Sequence, residues 1–238
     1  MPNTYFRFKQ FTVCHEKCAM KVGTDGVLLG AWTDADSCQS ALDVGVGSGL
    51  VALMLAQRYH NLVVDAIDID KDAVDQAIEN VTNSPFSHIN CYHASLQDWA
   101  KVCDKKYDLI VSNPPFFSSS LKSPKHQRTL ARHTDSLPME DFIPIVESIL
   151  SDAGRFSFIY PYSEKALLLE IADRYHLKAS RITNVLPKAG VSPKRVLMEL
   201  RRKPTENIVS ENDLIIEKDR HIYTDEFTGL VKDFYLKM

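Results

Sequence analysis

The chain has 238 residues, of which 45% are hydrophobic and 25% charged, with a formal net charge of -3. This length and apolar content suffice for the core of one large α/β domain or two small ones. The longest apolar runs, such as VLLGAW and LVALMLA, are far shorter than the roughly 18 to 20 residues that cross a bilayer. The start MPNTYFRFKQFTV lacks the charged-then-apolar order of a signal peptide, so we expect a globular protein of the cytoplasm without a membrane partner.

The five cysteines form no dense framework, and we expect reduced thiols. Cys14, His15 and Cys18 resemble one corner of a metal site. No second Cys or His pair follows at ligand spacing, so we predict no metal.

The predicted elements begin with YFRFKQFTV, an alternating strand, and GTDGVLLGAW, a short helix that Thr24 could cap. From Ser40 onward strands and helices alternate, which is typical of a parallel sheet covered by helices. The predicted strands are SALDVG, LVVDAIDI, HINCYHA, YDLIVSN and GRFSFIYP. The predicted helices are LVALMLAQRY, KDAVDQAIENVT with Asp70 as its cap, MEDFIPIVESIL and SEKALLLEIADRY.

The alternation ends with two strand-like runs, ASRITNVLP and PKRVLMELRRK, joined by KAGVS. A parallel connection needs a dozen or more residues, so these two runs must pair antiparallel, at the edge of the sheet. The sequence therefore predicts an α/β fold with a seven-stranded, mostly parallel sheet and an antiparallel C-terminal hairpin.

The segment LDVGVGSGL follows the first of the alternating strands, at the end where open α/β sheets bind ligands. Leu50 stands where a dinucleotide fingerprint requires glycine, which leaves either a tight turn or a different ligand loop. Asp68 closes the next strand, where a carboxylate can accept hydrogen bonds from ribose hydroxyls. The residues of interest in the loop are Asp43, Gly45, Gly47 and Gly49.

The fourth strand ends abruptly in Asn113, Pro114, Pro115 and Phe116. A rigid turn is one explanation for the two prolines. With the glycine loop and Asp68, however, this tetrapeptide resembles the S-adenosylmethionine-dependent methyltransferases that modify amino groups. The resemblance implies a Rossmann-like class I methyltransferase fold and S-adenosylmethionine as cofactor.

The same resemblance assigns roles to residues. The cofactor would be held by Asp43, Gly45, Gly47, Gly49, Asp68 and the backbone of Ser95 and Leu96. Ser95 departs from the family, where an acidic residue is common at that position. The catalytic residues would be Asn113, Pro114, Pro115 and Phe116.

The chemistry explains the types of residue in the tetrapeptide. An exocyclic amine on a base is a poor nucleophile because its lone pair is delocalised into the ring. The Asn113 side-chain oxygen and the Pro114 carbonyl can accept hydrogen bonds from the two N–H groups of the amine. These bonds would turn the lone pair of its nitrogen toward the methyl donor. The Phe116 ring offers a stacking face for a flipped-out base. No strong general base is required, so His126 and His133 need no catalytic role.

Flanking segments such as CAMKVGTDGVLLGAW and LPKAGVSPKRVLMEL resemble a bacterial branch of the family, which methylates adenine N6 beside the anticodon of a valine tRNA. The likeness runs from Phe8 to Leu200 and implies tRNA as partner; no protein partner is predicted. Three alternatives stay open: a guanine-N2 enzyme of ribosomal RNA, which also uses Phe in the tetrapeptide, a dinucleotide-dependent oxidoreductase, and a non-catalytic RNA-binding module.

Charge is unevenly spread, with nine basic residues against the single acid Glu199 between Arg174 and Lys203, and an acidic tail after Pro204. Basic side chains beside a base pocket suit phosphate contacts, although a solvated surface looks the same in sequence. The predicted RNA contacts are Lys122, Lys125, Arg128, Arg132, Lys194, Arg195, Arg201 and Arg202.

We divide the chain into an N-terminal cap segment, 1–39, that packs on a catalytic domain, 40–203, and an acidic extension of that domain, 204–238. Lys21, Thr24 and Asp25 either lie over the methionine end of the cofactor or belong to a simple capped helix.

Overall fold

The computed structural model describes residues 3–115, 137–202 and 209–237. Within them the chain forms a nine-stranded sheet and a separate two-stranded one. The strands are β1 Tyr5–Arg7, β2 Thr12–Cys14, β3 Ser40–Val44, β4 Val63–Asp68, β5 Ile89–His93, β6 Tyr107–Ser112, β7 Leu150–Pro161, β8 Lys178–Lys188, β9 Arg195–Arg201, β10 Ser210–Asp219 and β11 Ile222–Tyr223. The helices are α1 Thr24–Trp32, α2 Leu50–Arg58, α3 Lys71–Thr82, α4 Leu96–Val102, α5 Met139–Ile149, α6 Lys165–Arg174 and α7 Asp225–Val231.

The large sheet has the order β11-β10-β8-β9-β7-β6-β3-β4-β5. Strands β3 to β7 are parallel, and β9 runs antiparallel to both β7 and β8. The seven predicted strands, β3 to β9, and their mostly parallel order with an antiparallel hairpin are therefore confirmed, but the sheet has nine strands in the described residues rather than the predicted seven. The predicted place of the hairpin at the sheet edge is wrong, because β10 pairs in parallel with β8 and β11 extends the sheet further.

Helices bury both faces of this sheet, and the strands are accordingly apolar on both sides. On β6, Leu109 and Val111 belong to the cluster that α1, α2 and α7 cover. Ile110, between them, belongs to the opposite cluster, which α5 and α6 cover. The period-2 geometry of a strand thus divides the core into two layers.

The N-terminal segment is a hairpin, which corrects the single strand predicted for YFRFKQFTV. The backbone N–H of Phe8 donates to the carbonyl of Phe11 at 2.8 Å, and the two rings stack at 4.8 Å. Lys9 N–H donates to the Phe234 carbonyl at 2.8 Å, so the two ends of the described chain meet. The domain boundaries remain a prediction.

Two predicted helix caps had different outcomes. Asp70 caps α3, since its carboxylate accepts the N–H of Asp72 at 2.9 Å. Thr24 is not a cap: Gly23 occupies that position, without a side-chain bond, and Thr24 is the first helical residue. No helix of the described ranges is long and apolar enough to cross a membrane.

Candidate functional site

The ends of β3 and β6 lie side by side at the carboxyl edge, where the parallel strands end. Val44 pairs with Ser112, and the Ser112 hydroxyl donates to the Val44 carbonyl at 2.8 Å. The next residues along each strand, Gly45 and Asn113, both line one cavity. The two sequence motifs therefore meet because parallel neighbours end at the same edge.

The glycine loop uses the left-handed backbone region three times, with φ of +77° at Gly45, +54° at Gly47 and +81° at Gly49. Side chains rarely tolerate this region. A Cβ at Gly49 would stand 3.5 Å from the Ala77 Cβ, an ordinary contact distance, so it is the backbone conformation that favours glycine here. A Cβ at Gly45 or Gly47 would meet no atom of the described residues within 4 Å. These two positions leave room for a ligand.

The cavity has a volume of about 510 Å³, within the range of small-molecule sites. Residues 20–26 form one wall, and the glycine loop with the start of α2 forms another. Lys21, Thr24 and Asp25 line this cavity together with Asn113, which favours the first of their two predicted roles.

Two carboxylates lie on either side of the glycine loop: Asp43 bonds to α2, which follows the loop, and Asp68 bonds to the loop itself. Asp43 is 2% exposed and accepts the N–H of Ala52 at 3.1 Å. Burial raises the pKa of Asp43 to about 7. The two oxygens of Asp68 accept the N–H groups of Gly47 at 2.9 Å and Asp70 at 3.0 Å. Burial raises the pKa of Asp68, and these hydrogen bonds oppose the rise.

Asn113 lines the cavity, and its carboxamide oxygen is an acceptor that no described residue uses. Its Oδ1 is buried and has no hydrogen-bond partner among the residues that the structure describes. A Cβ at Gly26 would lie 2.9 Å from Leu50 Cδ2, so glycine lets α1 pack against the start of α2, and Asn113 Nδ2 would lie 3.9 Å from the same Cβ. An unpaired buried acceptor costs about 1–3 kcal/mol, which a ligand donor would recover. Pro114 is buried and Pro115 exposed.

The remaining predicted cofactor residues lie farther along the carboxyl edge. Ser95 caps α4, where its hydroxyl accepts the Asp98 N–H at 3.0 Å and donates to the Asp98 carboxylate at 2.9 Å. Leu96 is buried. Asp68 ends β4, whereas Ser95 and Leu96 follow β5. None of these three residues is among the described residues that line the 510 Å³ cavity.

The predicted basic surface on the hairpin is divided between two edges of the sheet. Arg195 pairs with Pro161 at the carboxyl edge, whereas Arg201 pairs with Arg155 at the other edge. The seven-residue length of β9 separates them by roughly 20 Å.

The arginines of this hairpin also have acidic partners. Arg195 Nε donates to Asp25 Oδ2 at 2.8 Å, and Arg201 lies 2.9 Å from Glu199. Arg202 lies 3.0 Å from the carboxylate of Glu147. Lys194 is exposed and has no ion pair within the described ranges. Phe116, Lys122, Lys125, Arg128 and Arg132 lie outside the described residues.

Sequence reasoning missed two contacts that hold this site: the Asp25–Arg195 ion pair and the hydrogen bonds of Asn80, a buried residue of α3. A signal for Asn80 was its helical spacing from Ala73 and Ala77 on a buried face. In the part of the chain that the structure describes, no group of three or more His, Cys, Asp or Glu residues is placed to hold a metal.

Comparison with known proteins agrees with this geometry. Residues 19–137 match the methyltransferase small domain family. A Parabacteroides distasonis protein named tRNA1(Val) (adenine(37)-N6)-methyltransferase is 50% identical over 239 residues, which covers 100% of both chains. A Trichodesmium erythraeum protein of the same name is 46% identical over 240 residues, again covering 100% of both.

Solved structures share the fold. An Agrobacterium tumefaciens protein described as a predicted O-methyltransferase superposes with a TM-score of 0.67 at 19% identity, over 88% of this chain and 96% of that one. The ribosomal protein L11 methylase from Lactobacillus delbrueckii subsp. bulgaricus has a TM-score of 0.54 at 22% identity, over 75% and 77%. These likenesses confirm the predicted class I methyltransferase fold.

Proposed function

Because the chain belongs to the methyltransferase small domain family, we propose that it transfers a methyl group from S-adenosylmethionine to the exocyclic N6 of an adenine in tRNA. The shared name of the full-length relatives supports adenine 37 of tRNA1(Val) as the target. A tRNA substrate implies a cytoplasmic enzyme.

The observation that supports this proposal is the buried Oδ1 of Asn113 beside the glycine loop, which has no hydrogen-bond partner in the described part of the chain. An exocyclic amine carries two N–H donors, one of which can form a hydrogen bond to this oxygen. We assign one N–H of the amine to Asn113 Oδ1 and the other to the Pro114 carbonyl. With both N–H groups hydrogen-bonded, the lone pair of the nitrogen points in one fixed direction. Orientation of this kind supplies much of the rate enhancement. Stacking of the base on Phe116 remains a prediction.

The residues present fit S-adenosylmethionine. No described residue occupies the space into which a side chain at Gly45 or Gly47 would project, and the Asp68 carboxylate retains acceptor capacity for ribose. When bound, S-adenosylmethionine supplies an electrophilic methyl group on a positively charged sulfur. The proposed cofactor contacts remain those predicted from sequence: Asp43, Gly45, Gly47, Gly49, Asp68, Ser95 and Leu96.

For the RNA, we favour phosphate contacts at the carboxyl edge. Lys194 lies there, exposed, and Lys188 ends β8 at the same turn of the hairpin. Arg195 is partly committed to Asp25. The ion-paired Arg201 and Arg202 are at the far edge and are weaker candidates. Lys122, Lys125, Arg128 and Arg132 stay predicted contacts.

The test is methyl transfer by the purified protein to unmodified tRNA1(Val) and to ribosomal RNA, followed by digestion and mass spectrometry of the nucleosides. N6-methyladenosine from the tRNA is expected. N2-methylguanosine from ribosomal RNA would indicate the guanine branch instead. Binding of RNA without transfer to any nucleoside would favour a non-catalytic module, and binding of NAD in place of S-adenosylmethionine an oxidoreductase.

A further inference from the structure

Asn80 joins α3 to two separate segments of the chain. It is 3% exposed. Its Nδ2 donates to the carbonyl oxygens of Cys14 at 2.7 Å and Ser48 at 2.8 Å, and its Oδ1 accepts the Cys14 N–H at 2.9 Å. Both donors of the carboxamide are therefore used inside the protein.

Ser48 is where this side chain supports the glycine loop. It lies between Gly47 and Gly49, is 8% exposed and lines the cavity. Ala77, one turn before Asn80, is the residue against which Gly49 packs. The loop is thus supported by α3 through the Asn80 hydrogen bond, next to the place where Gly49 neighbours Ala77.

Cys14 is where the same side chain supports the N-terminal segment. Asn80 binds both backbone groups of Cys14, as a neighbouring strand would. Three residues further along, the Lys17 side chain forms an ion pair with Glu79 on α3. The backbone N–H of Lys17 donates to Gln76 Oε1 at 3.4 Å. The chain then continues into residues 20–26, which form a wall of the cavity.

We propose that Asn80 is a positioning residue for cofactor binding, which holds the glycine loop and the segment leading into residues 20–26 in one arrangement. The proposal rests on the proposed use of S-adenosylmethionine. Without Asn80, the Ser48 carbonyl and both backbone groups of Cys14 lose this partner, and the side chain that joins the two segments directly is gone. Binding of S-adenosylmethionine must then order both segments, which weakens its affinity. Ligand bound at the glycine loop also no longer reduces the motion of residues 20–26.

The experiment compares Asn80→Leu with Gln57→Met in the full chain. Each change replaces a buried carboxamide by an apolar side chain of similar shape. Gln57 is 8% exposed on α2 and donates to the Asp233 carbonyl at 3.0 Å, so it controls for loss of a buried amide elsewhere. The measurements are the thermal midpoint, the Kd for S-adenosylmethionine, and hydrogen exchange at Cys14 and residues 20–26 with and without that ligand.

Both variants are expected to unfold at lower temperature. Asn80→Leu should weaken S-adenosylmethionine binding by about tenfold or more, as expected for loss of a hydrogen bond that the ordered loop needs. It should also abolish the slowing of exchange that the ligand causes at residues 20–26. Gln57→Met should keep both properties of the wild type.

An Asn80→Leu protein that binds S-adenosylmethionine within twofold of the wild type, with ligand-dependent protection intact, would reduce Asn80 to a fold-stabilising residue. If Asn80→Leu does not fold, Asn80→Asp retains the acceptor for Cys14 N–H but loses both donors, and the same two measurements decide. A wild type that fails to bind S-adenosylmethionine would overturn the proposed cofactor and this inference together, which distinguishes the two failures.

Discussion

The Asp68 carboxylate accepts a hydrogen bond from the backbone N–H of Gly47 at 2.9 Å. The last residue of β4 therefore holds the middle of the glycine loop. An ionised carboxylate has about four acceptor positions, so the same group can bind a ribose hydroxyl without releasing the loop. In the proposed assignment, one side chain thus links the shape of the loop to recognition of the cofactor.

Replacing Asp68 by Ala should weaken S-adenosylmethionine binding by about 1.5–3 kcal/mol, the range for hydrogen bonds to a charged group. Isothermal titration calorimetry measures this. Asp70→Ala is the matched control, because it removes a carboxylate from the same strand end but one that caps α3. It should lower stability by about 1 kcal/mol and leave the Kd unchanged. Equal affinity of Asp68→Ala and the wild type would reject the ribose assignment.

Gly47→Val should abolish or strongly weaken cofactor binding, because the side chain would enter the cavity that the loop leaves open. The left-handed φ adds strain of roughly 1–2 kcal/mol or more. Gly190→Val separates the two effects, since Gly190 also has a left-handed φ, of +77°, and open surroundings, but lies in the hairpin turn. Both variants should lose stability in urea, and only Gly47→Val should lose the ligand. Normal binding by Gly47→Val would refute the position of the site.

Asp43 predicts the pH dependence of stability in the absence of ligand. Burial raises its pKa to about 7 in the folded protein, against about 3.9 in the unfolded chain. Between these values unfolding releases a proton, so this group's contribution to stability falls as the pH rises, by up to about 1.4 kcal/mol per pH unit. Asn at position 43 keeps an acceptor for Ala52 but cannot titrate.

The free energy of unfolding, measured in urea at pH 5 and pH 8, should therefore decline less in Asp43→Asn than in the wild type. Asp68, whose pKa is also raised by burial, is present in both proteins and contributes to both declines. Identical pH dependence of the two proteins would show that Asp43 is already ionised when folded.

The hairpin predicts a difference between its two ends. Lys188→Ala with Lys194→Ala should weaken tRNA binding and reduce the salt slope by about 0.7–0.9 for each phosphate that is no longer neutralised. The control, Arg201→Ala with Arg202→Ala, removes two cations whose acidic partners are Glu199 and Glu147. That control should lower stability and leave the salt slope nearly unchanged. A larger change of slope in the arginine pair would move the RNA surface to the far edge.

The arginines show where sequence reasoning stopped. Their charge is visible in the sequence, but their partners Asp25 and Glu147 are distant in the chain and become neighbours only in the folded sheet. By contrast, the glycine loop and Asn113 could be placed together in advance, because successive parallel strands end at one edge. Contacts that follow from the order of the strands can therefore be predicted from the sequence, whereas long-range ion pairs leave no periodic signal in it.

The C-terminal strand β10 was missed for a related reason. The segment SENDLIIEKD is rich in acidic residues, and Leu214 is its only residue with less than a tenth of its surface exposed. Its pairing with β8 supplies the order that the pattern does not indicate. The turn between Phe8 and Phe11 was missed because it contains neither glycine nor proline, the usual markers of a turn.

The last prediction concerns Asn113, whose buried Oδ1 has no partner within the described ranges. Asn113→Ala removes an acceptor that the proposed reaction needs when the amine is reoriented, but leaves the glycine loop and the hairpin intact. Affinity for S-adenosylmethionine and tRNA should stay near that of the wild type. Methyl transfer should slow by at least about a hundredfold, or roughly 2.7 kcal/mol of lost transition-state stabilisation.

Single-turnover transfer to tRNA with saturating cofactor measures this rate directly. Asn113→Asp keeps acceptor oxygens at the same place and should retain more of the rate than Asn113→Ala. Asn90→Ala is the control, since it removes a carboxamide that donates to Asp65 at 3.2 Å, away from the cavity. It should transfer the methyl group at the rate of the wild type. An undiminished rate in Asn113→Ala would mean that the amine is oriented by other groups, and the proposed role of Asn113 would have to be abandoned.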